Sequence, residues 1–137
     1  MQHECRITVL ETKCFPNLQE QYLADPKSGP CPFFKPGDTF LLKRTPQQDD
    51  FYHLMNGKFC GEAWDAVSRY VYTALQGGSI MKGWTNDDRM MIACCNDGTR
   101  AVFFISVKEC FFKKRKALCK LRSAVFYSGK ILRYEVQ

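Results

Sequence analysis

Two adjacent cysteines, Cys94 and Cys95, stand just before a segment that ends at Arg100. Neighbouring side chains on a strand point to opposite faces, so one thiol can lie in the core while the other faces what lies beyond the sheet. Asp97-Gly98 between two apolar runs predicts a two-residue hairpin turn. That turn would place Arg100 opposite Cys95, and a cation beside a thiol favours the reactive thiolate. We therefore expect cysteine chemistry at Cys95, with Cys94 in the core.

Two further cysteines occupy positions suited to chemistry. Cys60 directly precedes the clearest predicted helix, at about residues 61–75. A helix N-terminus presents free N–H groups and partial positive charge, which lower the pKa of a thiol. Cys31 stands between two prolines, whose stiff, extended backbone can hold a thiol out for coordination or attack. The alternative for each is a packing role: Cys60 as a small buried apolar residue, and Cys31 packed beneath its loop.

These residues support three hypotheses of different kinds. Soft thiolates select zinc, copper(I) or iron–sulfur units, so the first is a metal ion or iron–sulfur cluster bound by Cys31, Cys60 and Cys95. Cys94 is the fourth candidate ligand, although a strand bulge is needed to bring it to the same ion. The second is an enzyme with one low-pKa cysteine, Cys60 or Cys95, assisted by Arg100 and resolved by a neighbouring thiol. The third is a non-catalytic interaction module whose cysteines belong to the core.

The remaining cysteines and the histidines fit no ligand spacing. Packing or surface roles are expected for four cysteines: Cys5, Cys14, Cys110 and Cys119. His3 and His53 stand at no spacing that couples them to a cysteine, so nothing predicts a Cys/His dyad. No CxxC occurs, which counts against a zinc ribbon or a thioredoxin-like site.

Hydrophobic periodicity predicts the elements that position these thiols. We expect strands at residues 6–10 and 39–43, a short helix at 18–24 capped by Asn17, a polar loop at 45–56, and hairpin arms at 90–95 and 100–107. The helix at 61–75 carries one apolar stripe: Trp64, Val67, Val71, Ala74 and Leu75. Gly77-Gly78 ends it. One hairpin face is strongly apolar and is expected to be buried: Met90, Ile92, Cys94, Ala101, Phe103 and Ile105.

The sequence therefore predicts an α+β fold, with a mostly antiparallel sheet covered by one main helix. Later residues predict a C-terminal helix and a closing hairpin. The helical stripe comprises Phe111, Leu118, Leu121 and Val125. The hairpin is expected at residues 125–127 and 130–136.

Bulk composition is that of an ordinary globular protein. The chain has 137 residues, of which 45% are hydrophobic and 25% charged. No apolar run approaches the roughly 20 residues that cross a bilayer, and the first residues lack the pattern of a secretory signal. We therefore expect a cytoplasmic protein without membrane association, whose eight cysteines remain free thiols.

The basic charge is concentrated near the C-terminus. Residues 1–107 contain eleven Lys/Arg and twelve Asp/Glu, whereas residues 108–137 contain nine and two. We expect a domain over 1–107 and a basic extension over 108–137 packed on that domain. Four consecutive basic residues could meet an acidic partner or nucleic acid: Lys113, Lys114, Arg115 and Lys116. They could equally form the solvated face of a helix. Hairpin edges in a small sheet also favour a homodimer.

Four ordered blocks carry a resemblance to a known family. They are GPCPFFKPGDTF at residues 29–40, FCGEAW at 59–64, GG at 77–78 and CCNDGTRAV at 94–102. Together they resemble a family of short, uncharacterised prokaryotic proteins with the pattern GPCPxFxxGxxF, FCxxAW, GG and CCxDGxRPV, over about residues 4–107. The resemblance implies that the recurrent cysteines are Cys31, Cys60, Cys94 and Cys95, and it supplies no reaction. Ala101 stands where the family has proline, and the basic extension lies outside the pattern.

Overall fold

The computed structural model describes residues 3–110 of the chain. These residues form four strands and three helical segments. In chain order the elements are β1 (His3–Cys14), α1 (Pro16–Tyr22), β2 (Thr39–Lys43), α2 (Leu54–Gly57), α3 (Gly61–Leu75), β3 (Met90–Asn96) and β4 (Arg100–Cys110).

The four strands form one antiparallel sheet in the order β2-β1-β4-β3. The two long strands, β1 and β4, lie at its centre, and a bulge between Val9 and Glu11 shifts their register. The hairpin expected near Cys94 forms from β3 and β4. An antiparallel sheet with one long helix confirms the predicted α+β class.

α3 packs against one face of the sheet, which we call the inner face; the opposite one is the outer face. The helix buries the predicted stripe except for Trp64, which is partly buried; Val67, Val71 and Ala74 are at most 1% exposed. The sheet contributes buried apolar side chains from every strand: Cys5, Ile7, Val9, Leu42, Met91, Val102 and Phe104. Phe34 and Phe59 complete this core; the rings of Phe34 and Phe104 are 5.2 Å apart.

The C-terminal end of α3 is fastened to the two central strands. Gly77 has φ +86°, the left-handed conformation that glycine adopts readily after a helix. A Cβ atom at Gly77 would lie 2.5 Å from Nε2 of His3, so the ring also requires glycine there. Lys108 Nζ donates a 2.6 Å hydrogen bond to the Gly77 carbonyl.

The structure corrects the predicted buried face of the hairpin. Phe104, Met91 and Cys95 point to the inner face, toward the helix. The predicted set lies on the outer face instead: Met90, Ile92, Cys94, Ala101, Phe103 and Ile105. Of these six residues, Ala101 is buried. Both faces of the hairpin are apolar, so alternation could not choose between them. The aromatic cluster around Phe104 decides which face α3 covers.

The hairpin turn also lies one residue later than predicted. Its central residues are Gly98 and Thr99, and the N–H of Asp97 donates to the carbonyl of Arg100 at 3.2 Å. The Asp97 carboxylate accepts from the N–H groups of Thr99 and Arg100 at 2.8 and 2.7 Å, and thereby holds this turn. Cys95 is consequently opposite Val102, and the predicted pairing of Cys95 with Arg100 is wrong.

Other boundaries differ from the predicted ones. α1 begins at Pro16, because proline has a helical φ and needs no amide donor in the first turn, so Asn17 is not its cap. The predicted loop at 45–56 contains α2, a turn whose residues Leu54, Met55 and Asn56 have left-handed φ values of 45°, 52° and 58°. β4 continues to Cys110, so the predicted boundary after residue 107 falls within a strand.

The predicted C-terminal helix, closing hairpin and basic cluster lie outside the described residues. Within residues 3–110, no helix combines the length and apolar character needed to cross a membrane.

Candidate thiol site

Cys60 occupies the N-cap of α3. Its backbone is extended, with φ −67° and ψ 131°, and its carbonyl accepts the N–H of Trp64 at 2.9 Å. The thiol makes no capping hydrogen bond, so it is free to interact elsewhere. It is partly buried against the core, and Glu62 follows in the first turn of the helix. The predicted location of Cys60 at a helix start is confirmed.

Cys95 lies on the inner face of β3 and packs against the core. Burial, followed by the charges of the neighbouring groups Cys60, Glu62, Cys31 and Cys94 in that order, raises the pKa of its thiol to about 11. The shift is opposite to the one expected from a cation beside the thiol. Cys95 is therefore protonated at neutral pH, and the prediction of a low-pKa thiol at this position is wrong.

Arg100 is committed to another partner. Its Nε lies 2.7 Å from Oδ2 of Asp97, in an ion pair across the hairpin turn. Burial acts to raise the pKa of Asp97, but hydrogen bonds from Thr99 and Arg100 hold it below its usual value. The positive charge of Arg100 is thus balanced by a carboxylate rather than by a thiolate. Arg100 does not act as the predicted activating cation.

Cys31 reaches the same part of the core from an irregular segment between α1 and β2. Two contacts fasten this segment. The buried Gln19 side chain donates to the Gly29 carbonyl at 2.8 Å and accepts the Gly29 N–H at 3.0 Å. Three residues after Cys31, Phe34 enters the aromatic cluster beneath α3. The thiol is consequently held against the core rather than extended into solvent.

Three thiols from distant parts of the chain thus share one corner of the core. Cys31 and Cys60 are close enough to Cys95 to interact with it electrostatically. All three are free thiols. Within residues 3–110, however, no three or more His, Cys, Asp or Glu side chains form a group that could already hold a metal ion.

Cys94 points away from this corner. It is exposed on the outer face opposite Phe103, and its Sγ lies 3.5 Å from the carbonyl oxygen of Cys95. Partial burial raises the pKa of its thiol. The prediction that Cys94 is a core residue is therefore wrong. Opposite side-chain directions along a strand separate it from Cys95, as strand geometry requires.

A cleft lies beside Cys94 and Cys95, between the first turns of α3 and the end of β3. Its volume is about 380 Å³, and it is lined by Glu62, Asp65, Ala66, Cys94, Cys95, Asn96 and Asp97. Three carboxylates thus stand beside two thiols. Sequence reasoning missed them, although Glu62 and Asp97 each follow a candidate cysteine by two residues.

The other expected packing cysteines divide between the core and the surface. Cys5 is fully buried, and burial followed by the charge of Glu109 raises its pKa to about 12. Cys14 is partly exposed near the end of β1. Cys119 and the side chain of Cys110 lie outside the described part of the chain.

Comparison with models of known protein families found no match for this chain. Searches of curated proteins and of solved structures also found none. The resemblance carried by the four sequence blocks consequently stays a prediction.

Proposed function

We propose that this protein binds a soft or borderline metal ion through the thiolates of Cys31, Cys60 and Cys95. The observation that carries the proposal is the approach of these three thiols, from three distant segments, to one corner of the core. Thiolate ligands select zinc, copper(I) or iron–sulfur units. Cys94 is outside the proposed ligand set because it points to the opposite face of the sheet.

Local electrostatics supports a cation at this corner. All the charged neighbours that shift the pKa of Cys95 raise it, so they would be negative when ionised. The cleft beside Cys95 adds the carboxylate of Asp65, whereas the charge of Asp97 is balanced by Arg100. Such surroundings destabilise an isolated thiolate but stabilise a metal cation bound to it. Glu62 is the carboxylate that raises the pKa of Cys95, and its oxygen is the candidate for an additional ligand.

Metal binding on this proposal requires a local adjustment, because the described thiols do not already form a metal-holding group. Cys95 belongs to β3 and Cys60 is the N-cap of α3, whereas Cys31 belongs to an irregular segment. The Cys31 segment is therefore the part expected to move toward the ion. Its anchors at Gln19 and Phe34 would limit that movement.

Purification without air, followed by elemental analysis and titration with cobalt(II), tests the proposal. We expect one bound metal ion per chain and thiolate-to-cobalt absorption. Each of three variants, Cys31→Ser, Cys60→Ser and Cys95→Ser, should lower the affinity at least tenfold. Cys94→Ser is the matched control and should bind as the unaltered protein does. Substoichiometric metal throughout, with every thiol freely titratable, would refute the proposal.

A second candidate is a redox-active pair formed by Cys60 and Cys95. Among the neighbouring groups whose charges raise the pKa of Cys95, Cys60 has the largest effect. On oxidation each thiol would lose a proton, the two sulfurs would form a bond, and two electrons would pass to a peroxide or a low-molecular-weight disulfide. The raised pKa of Cys95 disfavours its thiolate, so in this candidate function Cys60 is assigned the attacking role.

Equilibration with glutathione redox buffers, followed by alkylation and mass spectrometry, tests the redox pair. A disulfide joining Cys60 to Cys95 should form at one defined potential and should be lost in Cys60→Ser. If both thiols remain alkylatable in every oxidising buffer, the redox pair is excluded. Cytoplasmic location, a homodimer, and recognition of an acidic partner or nucleic acid through Lys113–Lys116 stay predictions.

A further inference from the structure

The outer face of the sheet carries an apolar surface of its own. Ile105 lies at its centre, where it is opposite Thr8 on β1 and Ile92 on β3. Ile92 is 40% exposed, and its neighbours on this face are partly exposed. The apolar surface comprises Met90, Ile92, Phe103, Ile105 and Val107. We call these residues the outer patch.

Strand β4 is apolar on both of its faces from residue 101 to residue 105. A near-continuous apolar run is typical of a strand that is covered on both sides. α3 covers only the inner face, and no second helix within residues 3–110 packs against the sheet to a comparable extent. The apolar pattern of β4 therefore predicts a second layer of structure over the outer patch.

The same chain contains a further apolar segment that is suited to this second layer. β4 extends to Cys110, and the sequence continues directly from there with residues 111–137. Their predicted apolar stripe comprises Phe111, Leu118, Leu121 and Val125, and basic residues surround it. Two apolar surfaces in one chain are stabilised when each removes the other from water.

We propose that residues 111–137 of the same chain cover the outer patch, with their apolar stripe against Phe103, Ile105 and Val107. Attachment at Cys110 gives this segment a high effective concentration at the sheet, which favours it over a second copy of the protein. The contact is apolar, because acidic groups on the outer face already have partners. Glu109, for example, forms an ion pair with Arg6 at 2.7 Å.

A photo-crosslinker in the outer patch tests the proposal in the full-length chain. Phe103→p-benzoylphenylalanine places the reactive group next to Ile105, and mass spectrometry after illumination identifies what it touches. Mixing isotopically labelled and unlabelled chains separates crosslinks within a chain from crosslinks between chains. We expect crosslinks within one chain to peptides from residues 111–137. The same photo-crosslinker at Trp84, which is 85% exposed, should give at least fivefold fewer of them.

A charged residue placed in the apolar stripe should disrupt the proposed contact, and the same residue placed beside the stripe is the matched control. Leu121→Asp should lower the crosslink yield at least fivefold, whereas Ser123→Asp, off the stripe, should leave it within twofold. Circular dichroism identifies any variant whose sheet has unfolded. If a variant has unfolded, the test rests on the crosslink yield of the chain that carries only the photo-crosslinker at residue 103. Crosslinks that join two copies, or none to residues 111–137, would overturn the proposal.

Discussion

The inner and outer faces of the sheet differ far less in composition than in burial. Phe104 on the inner face is fully buried, whereas its neighbour Phe103 on the outer face is partly exposed. Met91 and Ile92 show the same contrast, at 0% and 40% exposure. Apolar character alone therefore does not make a core. The covering helix does, because burial between packed layers is what removes these side chains from water.

The same contrast separates the adjacent cysteines. Cys95 on the inner face is close enough to Cys31 and Cys60, which come from distant segments, for their charges to raise its pKa. Cys94 on the outer face is exposed. Two identical residues, adjacent in sequence, thus acquire different chemical surroundings.

The largest expected effect concerns the neighbouring phenylalanines. Phe104→Ala should lower the free energy of unfolding by about 3–5 kcal/mol, because it leaves a cavity in the aromatic cluster. Phe103→Ala should cost less, because its side chain is partly exposed within residues 3–110 and only the proposed contact with residues 111–137 would cover it. Urea denaturation measures both. Equal losses would show that the two faces are buried to the same depth.

The buried thiol of Cys5 should make stability depend on alkaline pH. Because its pKa in the folded state, about 12, lies above the ordinary value of 9.0, its contribution is complete below pH 9 and is lost as pH rises toward 12. The expected loss is about 1.4 kcal/mol for each pH unit in that range. Denaturation at pH 8 and pH 10 should show it, and Cys5→Ala should remove this part of the loss.

Other groups also titrate at alkaline pH, so Cys14→Ala serves as the control for Cys5. It replaces a partly exposed thiol and should keep the full pH dependence. A Cys5 variant with the same alkaline loss as this control would contradict the assigned environment of Cys5.

On the proposed function, metal affinity should rise with pH. Cys95 must release a proton to bind the ion, and its pKa is about 11. Affinity should consequently increase at least about tenfold for each pH unit between 6 and 8. Competition titrations with a chelator measure the slope. Cys95→Ser should reduce that slope by one proton, whereas Cys94→Ser on the outer face should not change it.

The smallest expected effect is the order of thiol alkylation. Cys94 should react faster than Cys95 in the folded protein at pH 8, because Cys94 is exposed and Cys95 is held against the core. Timed quenching and peptide mass spectrometry give both rates. The contrast should vanish in urea, where the two thiols have similar surroundings. Faster alkylation of Cys95 than of Cys94 would indicate that the surroundings of Cys95 on the inner face activate its thiol.

The sequence predicted the features that depend on near neighbours along the chain. The stripe from Val67 to Leu75 and the stop at Gly77 gave α3, since helical periodicity and glycine conformation act within a few residues. Alternation and turn residues gave the β3–β4 hairpin and the α+β class. Local chemistry also selected four of the eight cysteines as candidate ligands, Cys31, Cys60, Cys95 and Cys94, of which the structure directs Cys94 to the outer face.

Tertiary structure decided the features that depend on distant residues. A strand with two apolar faces does not specify which one a helix will cover, and the aromatic cluster around Phe104 made that choice. The Asp97 carboxylate fixed the turn, and with it the pairing of Cys95 with Val102. The meeting of Cys31, Cys60 and Cys95 required the whole chain to fold, because spacing along a sequence sets no distance between segments that only packing brings together.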